Sequence, residues 1–535
     1  MKLTHKIKQL LSSLSVEEKV GQLFVLAFAG EDHDYAQQLV KQYHVGGFYI
    51  TDDNAHDIYS ASQLASLLQQ QAVLRACDAP LLLAVDQEGA WGILTQQTDV
   101  GPGNLALGSA NDSQLTQRMY QVFAEQMQAI GYNTLLSPCA DVNADPNNPI
   151  IGQRAFGECA DLVSEHVSSA VRGVLNTYNF ACAKHFPGHG DTHTDSHQAL
   201  PVVDKSLATL LIEDLAPFIA AIDAGVSMIM TSHINYPQID NKYPATLSHT
   251  ILTTILKQHL GFKGLIITDS MNMWAMRKNY QPAQAAILAL QAGAHLIMLS
   301  EEHYENGTTP YKQIQAQTIQ GVIDAVKSKE LEIAVIDTAL EHVLRMKYSF
   351  LKAEATPMKL AKNECKAIAN TAAMQAIRTL RNTQQDWPLQ EPHYYLAFAA
   401  DPKGYDSLVN PRGIGPNDPR SARDVILANL NSIRRQFSVL SFVELKQLLN
   451  GAKQFNSNDK IIIVTEDYPL PGEQFDVTAQ SQRVQRALAL WPERVIVVAM
   501  RSDYELADYS NLATYVCAYS SRPISAKHIA RLLVQ

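Results

Sequence analysis

The sequence lacks several features that would each assign it to a particular class of protein. It has no run or stripe of Lys and Arg, and its formal net charge is −10. Nucleic acid is therefore not an expected partner, because neutralising phosphates needs clustered cations. No segment approaches about 18 consecutive apolar residues, so no membrane span is expected. The overall composition, with 46% hydrophobic and 18% charged residues, is typical of a soluble globular enzyme.

Cysteine is scarce and scattered, with no Cys-x-x-Cys pair in 535 residues. A chain of this size needs no disulfides to stabilise it, so the thiols are predicted to be free and mostly buried. The basic first 24 residues lack the apolar stretch of a secretory signal and predict a helix with Ser15 as its cap. These features favour a cytoplasmic protein. The six cysteines are Cys77, Cys139, Cys159, Cys182, Cys365 and Cys517.

Short apolar runs alternate with helical patterns along the first 300 residues. Fully apolar strands separated by helices indicate a parallel sheet covered on both faces. Eight such units fit a (β/α)8 TIM-like barrel, and a doubly wound open sheet is the alternative. The eight candidate strands lie within residues 21–30, 45–50, 80–89, 132–142, 180–188, 226–234, 265–271 and 295–300.

After residue 350 a long helical stretch, about 358–382, precedes a second set of apolar runs. The predicted fold class is therefore α/β, a barrel followed by a smaller α/β/α sandwich domain. The expected division is a barrel over 1–352, a helical linker region over 353–392 and the sandwich over 393–535. A long Pro/Gly-rich loop, 401–420, is a candidate functional segment because long loops in compact domains often are.

Polar residues cluster where the predicted barrel strands end, which is the rim on which barrel enzymes place their chemistry. For any single residue, capping a strand or a helix would be an equally good explanation. Their occurrence at corresponding positions of several strands favours an active site. These residues are Asp86, Glu88, Asp141, Lys184, His185, His233 and Asp269.

The segment KHFPGHGDTHTDSH, residues 184–197, contains four histidines and two aspartates. His189, His193 and His197 have the i, i+4, i+8 spacing that could hold zinc on a helix. Pro187 and the two nearby glycines make a helix there improbable. In a loop, this spacing does not imply that the three imidazoles lie close together. Metal binding therefore remains an alternative.

Proton transfer fits the same segment better. Asp195 and His197 are one residue apart, so in an extended loop both side chains point the same way. A carboxylate beside an imidazole fixes its tautomer and stabilises its charged form. With an ordinary pKa of about 6.5, histidine can serve as acid and then as base near neutral pH. Local turn hydrogen bonds are the alternative explanation.

The longer stretch KHFPGHGDTHTDSHQALP, residues 184–201, resembles the signature of glycoside hydrolase family 3, specifically its bacterial β-N-acetylglucosaminidases of the two-domain type. Further segments are similar to that family in the same order: VGGFYI, AVDQEG, PGNLALGSA, NPIIGQRAFG, GFKGLIITDSM and AGAHLIML. The resemblance covers essentially the whole first domain and, less sharply, the second.

The resemblance implies roles for individual residues. Asp269 in ITDSM would be the nucleophile, His197 the general acid/base and Asp195 its orienting partner. Four residues would bind the sugar, although Arg154 could instead be a structural ion-pair partner and Lys184 part of an ion pair in the barrel core. No metal and no organic cofactor is implied. The four are Asp86, Arg154, Lys184 and His185.

One segment departs from the family pattern. The family usually continues Asp-x-Glu-Gly-Gly with a nearby arginine, whereas here DQEG is followed by AWGILTQQTD. Trp91 is a candidate stacking face in its place. Recognition of the leaving-group side is the function most affected, and the 401–420 loop is a candidate contributor to it.

The function implied is that of an exo-acting retaining β-N-acetylglucosaminidase that removes terminal GlcNAc from peptidoglycan fragments. A small carbohydrate is then the expected partner. Phosphorolysis within the same family is one alternative, because a histidine that is neutral when acting as base repels phosphate less than a carboxylate does. A metal-dependent barrel hydrolase and a non-catalytic sugar-binding protein are alternatives from other classes.

Overall fold

The structure, a computed structural model, describes residues 2–192, 200–300, 311–391, 393–405, 415, 417–430, 436–452, 459–468 and 476–534. Two sheets organise these residues, one of eight strands and one of six. Among the described residues no helix combines the length and the hydropathy needed to cross a bilayer.

The first sheet is a closed parallel barrel, as the sequence predicted. Its strand order is β7-β6-β5-β4-β3-β2-β1-β8, and an isolated parallel bridge between Ile267 and Leu296 connects β7 to the residue before β8. Strands β1, β3, β7 and β8 are apolar on both faces and fully buried, because helices cover the outside and side chains fill the interior. The strands are β1 (Phe24–Leu26), β2 (Gly47–Tyr49), β3 (Leu82–Val85), β4 (Thr134–Leu135), β5 (Phe180–Phe186), β6 (Met228–Thr231), β7 (Leu265–Ile267) and β8 (Ile297–Leu299).

The helices around the barrel begin with two at the N-terminal end. Ser15 caps the second of these, and its hydroxyl and the Glu18 side chain form a reciprocal capping box. A segment with π-type hydrogen bonding, Thr250–His259, precedes β7. The α-helices are α1 (Lys2–Ser13), α2 (Val16–Gly21), α3 (His33–Gln42), α4 (Ile58–Ala72), α5 (Asn104–Ala110), α6 (Ser113–Ile130), α7 (Ala160–Leu175), α8 (Leu207–Glu213), α9 (Ala216–Asp223), α10 (Trp274–Arg277), α11 (Pro282–Ala292), α12 (Tyr311–Ser328) and α13 (Ile333–Phe350).

The second sheet has the order β11-β10-β12-β13-β14-β9 and is parallel except for β9. Alternate residues of β12 face opposite layers: Ile461 and Ile463 pack with α16 and α17, whereas Ile462 and Val464 pack with α15 and α18. This arrangement is an α/β/α sandwich. Its elements are β9 (Arg378–Asn382), β10 (His393–Phe398), α15 (Ala422–Leu430), β11 (Gln436–Val439), α16 (Phe442–Leu449), β12 (Lys460–Thr465), α17 (Val477–Leu490), β13 (Val495–Ala499), β14 (Thr514–Cys517) and α18 (Pro523–Val534).

The helix predicted over about 358–382 is wrong at its C-terminal end. Helix α14 covers Lys362–Ala376, and residues 378–382 instead form β9. This strand is the antiparallel edge of the second sheet, where it pairs with β14. The side chains of β9 are half-buried or exposed, so its sequence carries no apolar strand signal.

Candidate active site

A pocket at the C-terminal ends of the barrel strands contains every predicted site residue that the structure describes. These are Asp86, Arg154, Lys184, His185 and Asp269, and Tyr49 and Trp91 also line the pocket. Four apolar residues and two serines complete the wall: Leu136, Met230, Met273, Met298, Ser270 and Ser300. Asp195 and His197 lie outside the described residues, so the predicted dyad stays a prediction.

Two acids and two cations form one ion-pair network in this pocket. Lys184 on β5 pairs with Asp86 after β3, and its Nζ also lies 3.2 Å from Oε1 of Glu88. Arg154 binds Glu88 through Nε at 3.2 Å and Nη2 at 2.9 Å. Tyr49 donates its hydroxyl to Oδ2 of Asp86 at 2.7 Å. The charges are therefore compensated before any ligand binds.

These contacts set the protonation states of the network. Burial disfavours the charged forms of Asp86, Lys184 and Arg154, but the opposite charges outweigh it. The pKa of Asp86 is lowered by Lys184, and the pKa values of Lys184 and Arg154 are raised by their carboxylate partners. At neutral pH the network thus offers the Asp86 carboxylate and two cations to the pocket that also contains Asp269. Such a set can donate to and accept from the hydroxyls of one sugar ring.

Asp141 determines what His185 offers to the pocket. Its carboxylate accepts from Nδ1 of His185 at 2.8 Å and from the backbone N–H groups of His185 and His189 at 3.1 and 2.7 Å. Burial raises the pKa of Asp141, whereas His189 and the hydrogen-bond donors oppose that rise. Burial and Arg154 lower the pKa of His185 well below its usual range. The ring is then neutral with its proton on Nδ1, and Nε2 is an acceptor.

Trp91 covers the guanidinium of Arg154. The Arg154 Cζ lies 3.7 Å from the ring centroid, and the indole is 4% exposed. The ring packs among Cys139, Ile150, Ile151 and Ala155. One face of the indole is therefore stacked on a cation, an interaction of about 0.5–2 kcal/mol when shielded from water. The role of Trp91 as a stacking face for the sugar stays a prediction.

Asp269 follows β7 and is half-buried at the pocket. Its Oδ1 accepts the N–H of Ser270 at 2.7 Å. The carbonyl of Ser270 in turn accepts Nε2–H of His233 at 2.9 Å, and His233 is fully buried at the end of β6. On the other side, the N–H of Thr268 donates to the carbonyl of Leu296 at 3.0 Å, so the backbone is held before and after Asp269.

The described residues before and after 193–199 are fixed to the barrel rim. Asn148 donates to the carbonyl of His189 at 2.9 Å, and Asn235 donates its backbone N–H to the carbonyl of Pro201 at 2.9 Å. Gly190 is required here, since a Cβ would lie 1.7 Å from the carbonyl oxygen of Val142. Residue 192 is therefore delivered to the same rim that carries Asp269.

Among the described residues, one group of side chains has a geometry that could hold a metal ion. Ligand atoms of Cys139, Asp141 and His185 lie within 4.8 Å of one another. Their chemistry disfavours an ion, because burial and the Asp141 charge raise the thiol pKa of Cys139 well above its usual range, and metals bind the thiolate. The same atoms are already paired: the thiol donates to Asp141 at 3.1 Å and the imidazole at 2.8 Å.

Sequence reasoning did not select every residue that shapes this pocket. Tyr49 was not identified, although it ends β2 and so occupies the rim position that the other strand ends share. Glu88, Asp141 and His233 were placed on the rim without a role. Their contacts assign Glu88 to Arg154 and Lys184, Asp141 to His185, and His233 to the segment carrying Asp269.

Comparison with known proteins agrees with this geometry. Residues 15–346 match the model of the glycosyl hydrolase family 3 N terminal domain. The chain belongs to this family of glycosyl hydrolases. It is similar to beta-hexosaminidase A of Pseudoalteromonas piscicida, 29% identical over 60% of this chain and 56% of that one. It is also similar to the beta-hexosaminidase of Chromobacterium violaceum, 33% identical over 49% of this chain and 73% of that one. With the Pseudoalteromonas protein, the match spans little more than half of the relative's length.

The two-domain architecture is shared with a solved structure of the family. A glycoside hydrolase family 3 beta-N-acetylglucosaminidase from Paenibacillus sp. str. FPU-7 superposes with a TM-score of 0.82 at 26% identity. That superposition covers 98% of this chain and 97% of the other. The barrel and the sandwich are therefore both elements of the family fold.

Proposed function

We propose that this chain is an exo-acting retaining β-N-acetylglucosaminidase with Asp269 as its nucleophile. The observation that carries the proposal is that Asp269 shares one rim pocket with Asp86, Lys184, His185 and Arg154. A retaining glycosidase needs a carboxylate at the anomeric carbon and hydrogen-bonding groups that fix the remainder of the ring. The relatives named beta-hexosaminidase support the same activity.

In the proposed reaction, the Asp269 carboxylate attacks the anomeric carbon while protonated His197 donates its proton to the departing oxygen. Neutral His197 then removes a proton from water, which attacks the glycosyl–enzyme and releases the sugar with its original configuration. Asp195 would orient the imidazole and stabilise its charged form. The ion-pair network would hold the sugar in position during both steps.

The proposed substrates are GlcNAc-terminated peptidoglycan fragments, with chitin oligosaccharides as secondary substrates. The proposed location is the cytoplasm, which is consistent with six free thiols, five of them buried and Cys159 exposed. Fractionation of cells expressing the tagged full-length protein tests the location.

The experiment that tests the activity is hydrolysis of 4-nitrophenyl β-N-acetylglucosaminide. Wild type, Asp269→Asn and His197→Ala are compared, with the exposed Asp34→Asn as a matched control. We expect activity in wild type and control that resists EDTA, and loss of about 10³-fold or more in Asp269→Asn. Azide should partly restore the activity of His197→Ala, because azide can attack the glycosyl–enzyme without the help of a general base. Wild-type inactivity, or activity abolished by EDTA, would refute the proposal.

The same assay in phosphate buffer separates hydrolysis from phosphorolysis. Hydrolysis predicts free GlcNAc as the product in both buffers. Accumulation of GlcNAc 1-phosphate would show that phosphate replaces water as the acceptor.

A further inference from the structure

A turn of the barrel is joined to the second domain next to the sugar pocket. The turn consists of residues 92–95, which directly follow Trp91. The amide of Asn417 donates Nδ2–H to the carbonyl of Gly92 at 3.0 Å. The carbonyl of Asn417 accepts the hydroxyl of Thr95, and the carbonyl of Gly415 accepts the N–H of Gly92 at 3.3 Å.

These contacts are sheltered from water. Asn417 is 4% exposed and Thr95 is 6% exposed. Removing the amide would therefore leave the carbonyl of Gly92 buried without this donor, which is unfavourable. The position also suits the residue type, because Asn417 has φ +48° and asparagine tolerates this left-handed region.

From this turn the contacts lead directly to the sugar pocket. The carbonyl of Trp91 accepts the N–H of Glu88 at 3.0 Å, and the indole covers Arg154. Arg154 is paired with Glu88 at 2.9 Å. The second domain therefore fixes the turn, the turn fixes the indole, and the indole and Glu88 hold the guanidinium from two sides.

We propose that Asn417 is a positioning residue, supplied by the second domain, for sugar binding by Arg154. It acts by holding the turn 92–95 so that Trp91 stays closed over the guanidinium. The inference rests on the proposed function, in which Arg154 binds the sugar. It assigns the second domain a part in substrate affinity, although none of its described residues lines the pocket around Asp269.

The test uses Asn417→Gly, which removes the amide and accepts the same backbone conformation. Asn429→Ala is the matched control, because its amide donates to the carbonyl of Val425 at 2.7 Å within α15 of the same domain. With 4-nitrophenyl β-N-acetylglucosaminide we expect KM to rise about three- to tenfold in Asn417→Gly, with kcat within twofold of wild type. The control should match wild type in both constants.

A double-mutant cycle separates action through Trp91 from a general structural effect. If Asn417 acts through the indole, Asn417→Gly should add less than about twofold in KM to a Trp91→Phe background. If the two substitutions instead raise KM by independent factors that multiply in the double mutant, the inference is overturned. An unchanged KM in Asn417→Gly alone would overturn it as well.

A readout that needs no turnover keeps the inference distinct from the proposed function. The chain has four tryptophans, so the emission of Trp91 is obtained by subtracting the Trp91→Phe variant. We expect acrylamide to quench this emission at least twice as strongly in Asn417→Gly as in wild type, because the turn no longer shields the ring. Wild-type inactivity would sink the proposed function, and equal quenching constants would then overturn this inference separately.

Discussion

At the scale of single residues, this pocket depends on groups whose charge or tautomer is set by a neighbour. Lys184 and Arg154 stay charged although they are buried, because Asp86 and Glu88 face them. His185 stays neutral because it is buried and lies near two cations. The chemistry available to a ligand is therefore a property of pairs, and replacing one partner should change the other.

Asp141→Asn should weaken sugar binding without removing any group that lines the pocket. The amide that replaces the carboxylate turns a donor toward Nδ1 of His185, or else no longer accepts the proton on Nδ1. In either case the proton moves to Nε2. His185 would then donate into the pocket where it now accepts. We expect kcat/KM to fall about ten- to a hundredfold, mostly through KM, for a loss of about 1.4–2.7 kcal/mol.

Steady-state kinetics and the ¹⁵N shifts of the imidazole check this expectation. Cys139→Ser is the control. In the native protein the thiol of Cys139 donates to the same carboxylate at 3.1 Å, and serine keeps a donor at this position. An unchanged His185 tautomer in Asp141→Asn would contradict the argument, even if activity fell.

At the scale of elements, an ion cluster ties α8 to the segments on either side of 193–199. Nζ of Lys205 lies 2.9 Å from Asp191, 3.0 Å from Glu213 and 2.8 Å from Asp214. Burial raises the pKa of Asp214 to about 6, and Lys205 opposes that rise. Lys205, which follows this segment, therefore connects Asp191, which precedes it, to the end of α8.

Lys205→Met should impair acid assistance by His197 more than sugar binding. Three carboxylates would face one another without their cation, and the anchors of the segment that contains His197 would separate. We expect kcat/KM for chitobiose, a substrate with a poor leaving group, to fall at least fivefold more than for the 4-nitrophenyl glycoside, whose departure needs little protonation.

The ratio of the two kcat/KM values is the measurement. Lys327→Met is the matched control, because Lys327 forms an exposed ion pair with Glu17, and both residues are far in sequence from residues 193–199. Equal losses on both substrates would indicate that Lys205 stabilises the fold without affecting the proton-transfer step.

At the scale of the whole molecule, Lys347 is a buried amine at the opposite end of the barrel. It is fully buried, and its Nζ donates to the carbonyl of Gly46 at 2.6 Å. Burial, with Arg75 nearby, lowers its pKa to about 7. In the unfolded chain a lysine has a pKa of about 10.4.

This difference predicts that stability rises with pH between about 7 and about 10. In that window the unfolded state binds a proton that the folded state does not, so raising the pH favours folding by up to about 1.4 kcal/mol per pH unit. Below about pH 7 both states are protonated and the contribution no longer changes. Lys347→Met should show a smaller pH dependence, with a remainder from Lys257, whose pKa burial lowers to about 8. The exposed Lys8→Met should keep the dependence of wild type.

The midpoint of guanidinium chloride unfolding, measured from pH 6 to pH 10, checks this prediction. Parallel pH curves for wild type and Lys347→Met would show that the amine is charged in the folded protein.

The sequence by itself predicted the barrel, with an open doubly wound sheet as the alternative, and the residues at the ends of its strands. It could do so because strands buried on both faces are apolar throughout, and because parallel strands place their C-terminal ends on one rim. It also determined the sandwich, apart from β9, whose side chains face solvent and whose partner β14 lies more than 130 residues away.

Only the tertiary structure decided how the rim residues pair. Arg154 meets Glu88 across 66 residues, and Asn417 meets Gly92 across 325. Local patterns of hydrophobicity report burial, which each residue experiences alone. An ion pair or an interdomain hydrogen bond depends on two distant positions at once, and no local pattern specifies its partner.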